Sequence, residues 1–404
     1  MLNVIANFLR KVLPESVKKR LRNFINRTFL ASFIKKNNYK RDKTIVALLA
    51  EFNKVPIHRY GSFTPGVKEW EEKWDRSKGK RVLMFAYKDY AGSMYKWAEA
   101  VNKYSDYAVR LVAFLEHQYD YDYDLLMPFP HVLPRSDVQS IINESDIIHL
   151  KDENTFYFKT NELPKDIFKR FQGPMIFTAY GSYFRRYAID ESYKEYVLGF
   201  DARVAMTPDL IFPWFDGKYI PQAIDTEKYE YCWSNGQVLA HSPSTSARKG
   251  TDDLIKALEG RTDISLDLIK GLPHKECVER KKSATLFFDQ AGEVDFRGVT
   301  SVVGYYGNSA LEAAVFGVPT IAHISERAFE GAIIGGRDIR SISAILNTER
   351  GTEGLKRVIS EFFKLSAEER KEVSLRTRRW IEDFHSYPAC ALELSKVYDG
   401  LLKF

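Results

Sequence analysis

Cysteine is scarce: Cys232, Cys277 and Cys390 are the three in 404 residues, and none forms a CxxC pair. Their odd number and wide spacing argue against a disulfide framework or a zinc site, and for a reducing compartment such as the cytoplasm. No run reaches the roughly 18 apolar residues that cross a bilayer. The first residues also lack the unbroken apolar stretch and small-residue cleavage pattern of a secretory signal. There is no internal repeat, and no low-complexity tract beyond residues 119–124. What remains, with 45% hydrophobic and 28% charged residues, is a globular chain long enough for two ordinary domains. Aromatic residues are plentiful at 14%. They suit core filling first, and stacking on a flat ligand or an apolar contact surface second.

The net charge of +6 is unevenly spread. In residues 1–43 the basic set includes Arg10, Lys11, Lys18, Lys19, Arg20, Arg22, Arg27, Lys35 and Lys36, opposed by Glu15 and Asp42 alone. Ile5, Phe8, Leu9, Val12 and Leu13, then Val17, Leu21, Phe24 and Ile25, recur at helical spacing on either side of Pro14. A basic amphipathic arm of this kind suits an anionic membrane surface, placing the chain at the inner face of a membrane. A helix packed on the protein's own core is the plainer alternative. No basic run continues downstream, so nucleic acid is the least favoured partner.

From Lys80 onward, strand and helix patterns alternate. Residues 81–86, 108–114, 146–149, 175–178 and 202–206 read as buried strands, and Met94, Trp97, Ala98 and Val101 recur at helical spacing. Proline and glycine cluster over 209–225, the expected linker. Beyond it, 238–241, 266–269, 285–288 and 318–322 read as strands, and 249–258 and 311–316 as helices. The expected fold is α/β: two Rossmann-like, doubly wound parallel-sheet domains facing across a cleft. The expected divisions are an arm over 1–43, a connecting segment over 44–79, a first domain over 80–215, completed by a C-terminal helix at about 380–404, and a second over 216–379.

Three segments carry possible chemistry. In 304–319, GYYGNSALEAAVFGVP, a turn containing Gly307 opens a helix, whose free N–H groups and positive end suit a diphosphate. Asn308 or Ser309 is placed to cap that helix, and Glu312 to accept hydrogen bonds from a ribose diol. An ordinary capped helix accounts for the same residues. In 241–250, HSPSTSARKG, small hydroxyl residues including Ser242 and Ser244 lead into a helix with Arg248 and Lys249 at its start. Cations there oppose the helix dipole and call for an anion, unless they are simply solvated. In 89–93, Gly92 would let backbone approach a phosphate closely.

Together these segments resemble the large retaining glycosyltransferase family GT4, with its GT-B fold. The likeness spans about 80–400 and rests on five ordered matches. They are Gly92; the segment holding Tyr180, Gly181, Ser182 and Arg185; the TPDL run followed by Pro221 and Asp225; Lys249-Gly250; and the run from Gly307 through Glu312 to Pro319. Three departures stand out. The family's paired glutamates are half present, because Gly304 occupies the first position and Glu312 the second. Pro243 stands for an expected arginine, and Tyr180 for an expected histidine. His149 ends another strand and is a candidate to face the cleft, and Asp289 a candidate to replace the missing acid. Plain strand-end polarity explains both as well, and is the favoured reading. Asp120, Asp122 and Asp124 form a DxD pattern used elsewhere for divalent metals, read here as an acidic, aromatic loop on the acceptor side.

The resemblance implies transfer of a sugar from a nucleotide diphosphate to an acceptor hydroxyl, with retention and no enzyme nucleophile. The nucleotide-sugar is a co-substrate, and neither cofactor nor metal is expected. Lys249, Glu312 and His149 are the expected catalytic residues. Gly92, Ser242, Ser244, Arg248, Asp289, Gly307, Asn308 and Ser309 join Lys249 and Glu312 around the donor. Tyr180, Gly181, Ser182, Arg185 and Asp152 form the acceptor side, for a glycan or lipid-linked acceptor. A nucleotide-sugar epimerase of the same fold, a non-catalytic scaffold and a DNA-modifying transferase are the alternatives.

Overall fold

The computed structural model describes residues 66–115, 117, 119–126, 136–151, 171–296, 299–302 and 304–402. The basic arm over 1–43, residues 44–65 of the connecting segment and Asp152 lie outside the described residues. The first sheet contains β1 (Arg81–Lys88), β2 (Ala108–Leu115), β3 (Leu125–Leu126), β4 (Ile147–Lys151), β5 (Met175–Ala179), β6 (Ala202–Ala205) and β7 (Lys218–Tyr219). They lie in the order β3-β2-β1-β4-β5-β6-β7, and every neighbouring pair is parallel. Buried on both faces, the strands read as continuous apolar runs, as a sheet covered by helices on each side requires.

The second half contains β8 (Val238–His241), β9 (Ser265–Leu268), β10 (Leu286–Gln290), β11 (Glu293–Phe296), β12 (Val299–Val302), β13 (Thr320–Ala322) and β14 (Leu346–Asn347). Five of these form a parallel sheet, β14-β13-β10-β8-β9, and β11 and β12 form an antiparallel hairpin. The order reverses between β1 and β4 in one sheet and between β8 and β10 in the other. Ligands of doubly wound sheets bind at such reversals, beyond the carboxyl ends of the strands. The molecule is thus an α/β protein with two Rossmann-like sheets.

Aromatic residues go largely to the core. Phe177 lies at the centre of a cluster with Phe184, Tyr193, Phe200 and Phe215, at centroid distances of 5.3–6.5 Å. Residues 209–225, expected as a linker, are instead built into the first half. Lys218–Tyr219 pairs with β6, and Ile220 N–H extends the ladder to Ala205 O at 3.0 Å. The prolines there stop helices without preventing a short parallel strand. The helix Glu326–Ile334 packs against the turn Pro208–Leu210, where Gly331 lies directly over the Pro208 carbonyl and leaves no space for a Cβ. At its end the chain returns to the first sheet: the helix Tyr387–Leu401 packs on the helix Ser93–Tyr104, and Tyr387 Oη donates to Glu99 at 2.6 Å.

Candidate active site

A cleft of about 590 Å³ opens between the two sheets. Its first wall is the carboxyl edge of the first sheet. Tyr180, Thr207 and Gln222, which follow β5, β6 and β7, all line it, with Gly181, Ser182 and Arg185. Arg185 Nε donates to Asp209 Oδ2 at 2.9 Å, so its charge is partly neutralised before any ligand arrives. Tyr180 lies under the Lys151 ammonium, 4.0 Å from its ring centroid.

The Gly92 turn does not present an open phosphate cradle. Asp89 turns its carboxylate onto the start of the helix Ser93–Tyr104, accepting from Met94 N at 3.0 Å and Tyr95 N at 2.9 Å. Lys151 Nζ completes that arrangement at 3.0 Å from Asp89. The chain's own carboxylate therefore occupies the place an external anion would take. Gly92, with φ of +60°, lines a small side cavity next to Tyr121 rather than the main cleft.

The second wall is assembled from β8, β10 and the helices that follow. Ser242, Ser244, Arg248, Lys249, Gly307, Asn308, Ser309 and Glu312 all line the cleft. The reading of Arg248 and Lys249 as cations at a helix start is corrected by the backbone. They lie in the last turn of the short helix Ser246–Lys249, which Gly250 ends at φ +75° before Thr251–Ala257 begins. The anion facing Lys249 is Asp289, at 2.8 Å, and Asp289 also accepts from Gly307 N at 2.6 Å. Asp289, buried, thus pins the loop before Asn308 onto Lys249 and does not itself line the cleft.

Neither Asn308 nor Ser309 caps the helix Asn308–Ala314; the capping residue is Gly307. Asn308 Oδ1 instead receives Lys96 Nζ at 3.4 Å, and Ser309 Oγ joins Ser242 Oγ at 2.6 Å and Lys281 Nζ at 2.9 Å. Glu312 is buried among three nitrogens: Lys281 Nζ at 2.5 Å, His274 Nε2 at 2.9 Å and Lys96 Nζ at 3.7 Å. Burial pushes its carboxyl up, but Lys281, His274 and Lys96 together outweigh that and hold it well below the ordinary range. Gly304 is also accounted for. A Cβ there would run into Ser325 Oγ, and Ser325 caps the helix Glu326–Ile334, so a glutamate has no room at this position.

His149 is placed elsewhere. Its ring is buried, with Nδ1 3.2 Å from Tyr398 Oη and Nε2 2.6 Å from Thr178 Oγ1, and it does not reach the cleft. Burial lowers its pKa to about 3, so it is a neutral core residue. In the DxD segment, Asp124 is buried against Arg110 at 2.9 Å and accepts from Leu111 N at 3.0 Å, while Asp122 and Asp120 are exposed. The segment's aromatic side closes over the second wall instead. Tyr121 stacks on His274 with centroids 4.1 Å apart, and Tyr119 O accepts from His274 N at 3.1 Å.

Lys96, Lys281, His274 and Lys270 escaped sequence reasoning. The available signal was His274, Val278 and Lys281 recurring on one face of the helix His274–Lys282. A buried lysine at that spacing needs a carboxylate partner. Among the described lining residues, Arg185, Arg186, Arg248, Lys249, Lys270 and Lys281 face a single carboxylate, Glu312. Lys249 and Lys281 already hold acids. Arg248 has no carboxylate partner among the described residues, and Lys270 has only Ser246 Oγ at 3.4 Å. The cleft therefore carries uncompensated positive charge on its second wall, which suits an anionic ligand.

No protein-family pattern and no curated protein matches the chain. Among similar solved structures is an alpha-glucosyltransferase in complex with UDP-glucose and DNA containing an abasic site. It is 11% identical, with 80% of this chain and 99% of that one covered at a TM-score of 0.57. An alpha-glucosyltransferase in complex with UDP is 10% identical over 80% and 100%, with a TM-score of 0.56. The N-terminal domain of trehalose-6-phosphate phosphatase from Candida albicans is 10% identical over 79% and 97%, at 0.51. At these identities the likeness establishes the fold, two Rossmann-like domains facing across a cleft in the GT-B arrangement.

Proposed function

We propose that this chain is a glycosyltransferase of the GT4-like, retaining kind, moving a sugar from a nucleotide diphosphate to an acceptor hydroxyl. The observation that carries the reading is the charge of the interdomain cleft: among the described residues, Arg248 and Lys270 lack carboxylate partners on the wall built around Ser309 and Glu312. A diphosphate leaving group gains negative charge as the glycosidic bond breaks, and fixed cations in a water-poor cleft stabilise that charge. Lys249, held by Asp289, keeps the Gly307 loop in register beneath it. Glu312, kept ionised, is the acceptor for a ribose diol. The UDP-glucose bound by a neighbour of the same fold supports the donor class. The acceptor attacks on the face from which the diphosphate departs, from the side of Tyr180, Gly181, Ser182 and Arg185. A glycan or glycolipid acceptor at a membrane surface suits the basic arm.

The test is a panel of nucleotide-sugars incubated with the full chain, with and without candidate acceptors and with a chelator in parallel. The reading expects slow donor hydrolysis, faster transfer with acceptor, a product of retained anomeric configuration, and rates indifferent to the chelator. Epimerised donor without release of nucleotide would replace transfer by epimerisation. Failure of every nucleotide to bind would sink the reading.

A further inference from the structure

We propose that the transferred sugar is recognised from the first sheet, by Gln222 and Thr207 at the floor of the cleft, and that it is a neutral, hydroxyl-bearing sugar. The inference rests on the nucleotide-sugar reading above and assigns the part of the donor that reading leaves open.

Gln222 and Thr207 lie at the carboxyl ends of adjacent strands, β7 and β6. Both line the cleft. Both are more than nine-tenths buried, with 6% and 8% of their surface exposed. Gln222 Oε1 and Thr207 Oγ1 are nonetheless without hydrogen-bond partners among the described residues. Buried polar atoms are ordinarily paired, so two orphans on neighbouring strand ends mark a place where a ligand supplies the partners. A carbonyl oxygen needs a donor, and a hydroxyl can give or accept, which matches sugar hydroxyls.

Position supports the same assignment. Tyr305 and Tyr306 reach the same floor from the second half: Tyr305 Oη lies 2.9 Å from Tyr219 Oη on β7, and Tyr306 Oη 2.9 Å from His385 Nε2, and they lead into Gly307, which Asp289 holds beside Lys249. On the other side lie Gly181, Ser182 and Arg185. A group passing from a diphosphate on the second wall to an acceptor on the first must sit between them. Gly304, just before Tyr305, adds no side chain, because Ser325 fills the space one would need. The Gln222 main chain is held at this point, because its oxygen accepts from His385 Nδ1 at 2.6 Å. Neither orphan carries a charge to offset an ammonium or a carboxylate, so neutral hydroxyls fit the pair.

Titration of the full chain with UDP, GDP and ADP identifies the nucleotide. Titration with the glucose, mannose and N-acetylglucosamine conjugates of that nucleotide then gives the sugar's contribution to affinity. Gln222→Met and Thr207→Val should each reduce that contribution by roughly five- to tenfold, the ordinary worth of one hydrogen bond between neutral groups. Affinity for the nucleoside diphosphate alone should hold. Gln222→Glu keeps an acceptor oxygen and should retain the contribution where Gln222→Met loses it; melting curves establish that each variant folds. An equal sugar contribution in wild type and variants, large or nil, overturns the inference and leaves the nucleotide-sugar reading standing. Absence of nucleotide binding in the wild type removes both.

Discussion

Arg248 and Lys249 are neighbours with different duties. Lys249 is bound to buried Asp289 and through it to Gly307 N, whereas Arg248 faces the cleft with no acid beside it among the described residues. Their substitutions should therefore separate. Arg248→Ala, and likewise Lys270→Ala, should weaken binding of a nucleoside diphosphate by about tenfold or more, the scale of a charge-assisted hydrogen bond to phosphate, without lowering the melting temperature. Lys249→Ala strands a buried carboxylate and should cost on the order of 3 kcal/mol of stability. Asp289→Asn in the same background should recover much of it. Equal losses of affinity and equal melting temperatures across the three alanine variants would show that the ion pair does not divide their roles. The sequence showed these cations side by side in one motif; only the fold distinguishes the paired one from the unpaired one.

At the scale of elements, two of the contacts that join the halves of the molecule stand beside the Tyr219 Oη–Tyr305 Oη pair at 2.9 Å. One is the helix Glu326–Ile334 against Pro208–Leu210, with Arg327 Nε donating to Asp209 O at 3.0 Å and Tyr219 N to Gly335 O at 3.1 Å. The other, across the cleft, sets Lys96 and Tyr121 against Asn308, Glu312 and His274. Gly331→Ala tests the first. The added Cβ meets the Pro208 carbonyl, so the helix must lift away from the turn, and overpacking of this kind costs about 1–3 kcal/mol. A fall in melting temperature of several degrees is expected, and an unchanged melting curve would mean that this contact yields freely. Neither pairing was readable from the chain, because each joins residues more than a hundred positions apart. Their chemistry, a glycine and a lone lysine, is ordinary for a helix.

For the whole molecule, acid is the revealing condition. Burial lowers the pKa of His149 and His385 from 6.5 to about 3, and that of His241 to about 4. An unfolded chain protonates these rings near pH 6.5 while the folded one does not. Their full stability is therefore present above that pH and is lost as pH falls toward the folded values. By pH 5 each ring costs on the order of 2 kcal/mol. Glu312 adds to the loss further down: its folded pKa is depressed, so its contribution is present above the ordinary carboxyl range and fades below it. Denaturant titrations between pH 7 and pH 5 should show a steep fall, and stability that is flat over that window would contradict neutral burial of the three rings. At the same scale, removal of residues 1–43 should abolish sedimentation with anionic vesicles and leave binding of nucleotide untouched. Retained sedimentation would end the membrane reading of the arm. Among the described residues, no helix is long and apolar enough to cross a membrane.

The longer buried strands, their parallel sense and the two-sheet architecture were legible in the chain because buried parallel strands need unbroken apolar runs, and these recur between helical patterns; the short strands β3, β7 and β14 and the β11–β12 hairpin were not. The ordered turns around Gly92, Tyr180–Arg185, Lys249 and Gly307–Glu312 were legible for the same reason: local backbone demands leave glycine and small polar residues at fixed places. What the chain alone did not disclose was pairing. Whether Lys249 is free or spent, whether His149 faces the cleft or the core, and which side chains surround Glu312 depend on residues brought together from distant parts of the sequence. Electrostatic partnership falls off with distance in space, not along the chain, so these matters were decided only by packing within each half and between the two.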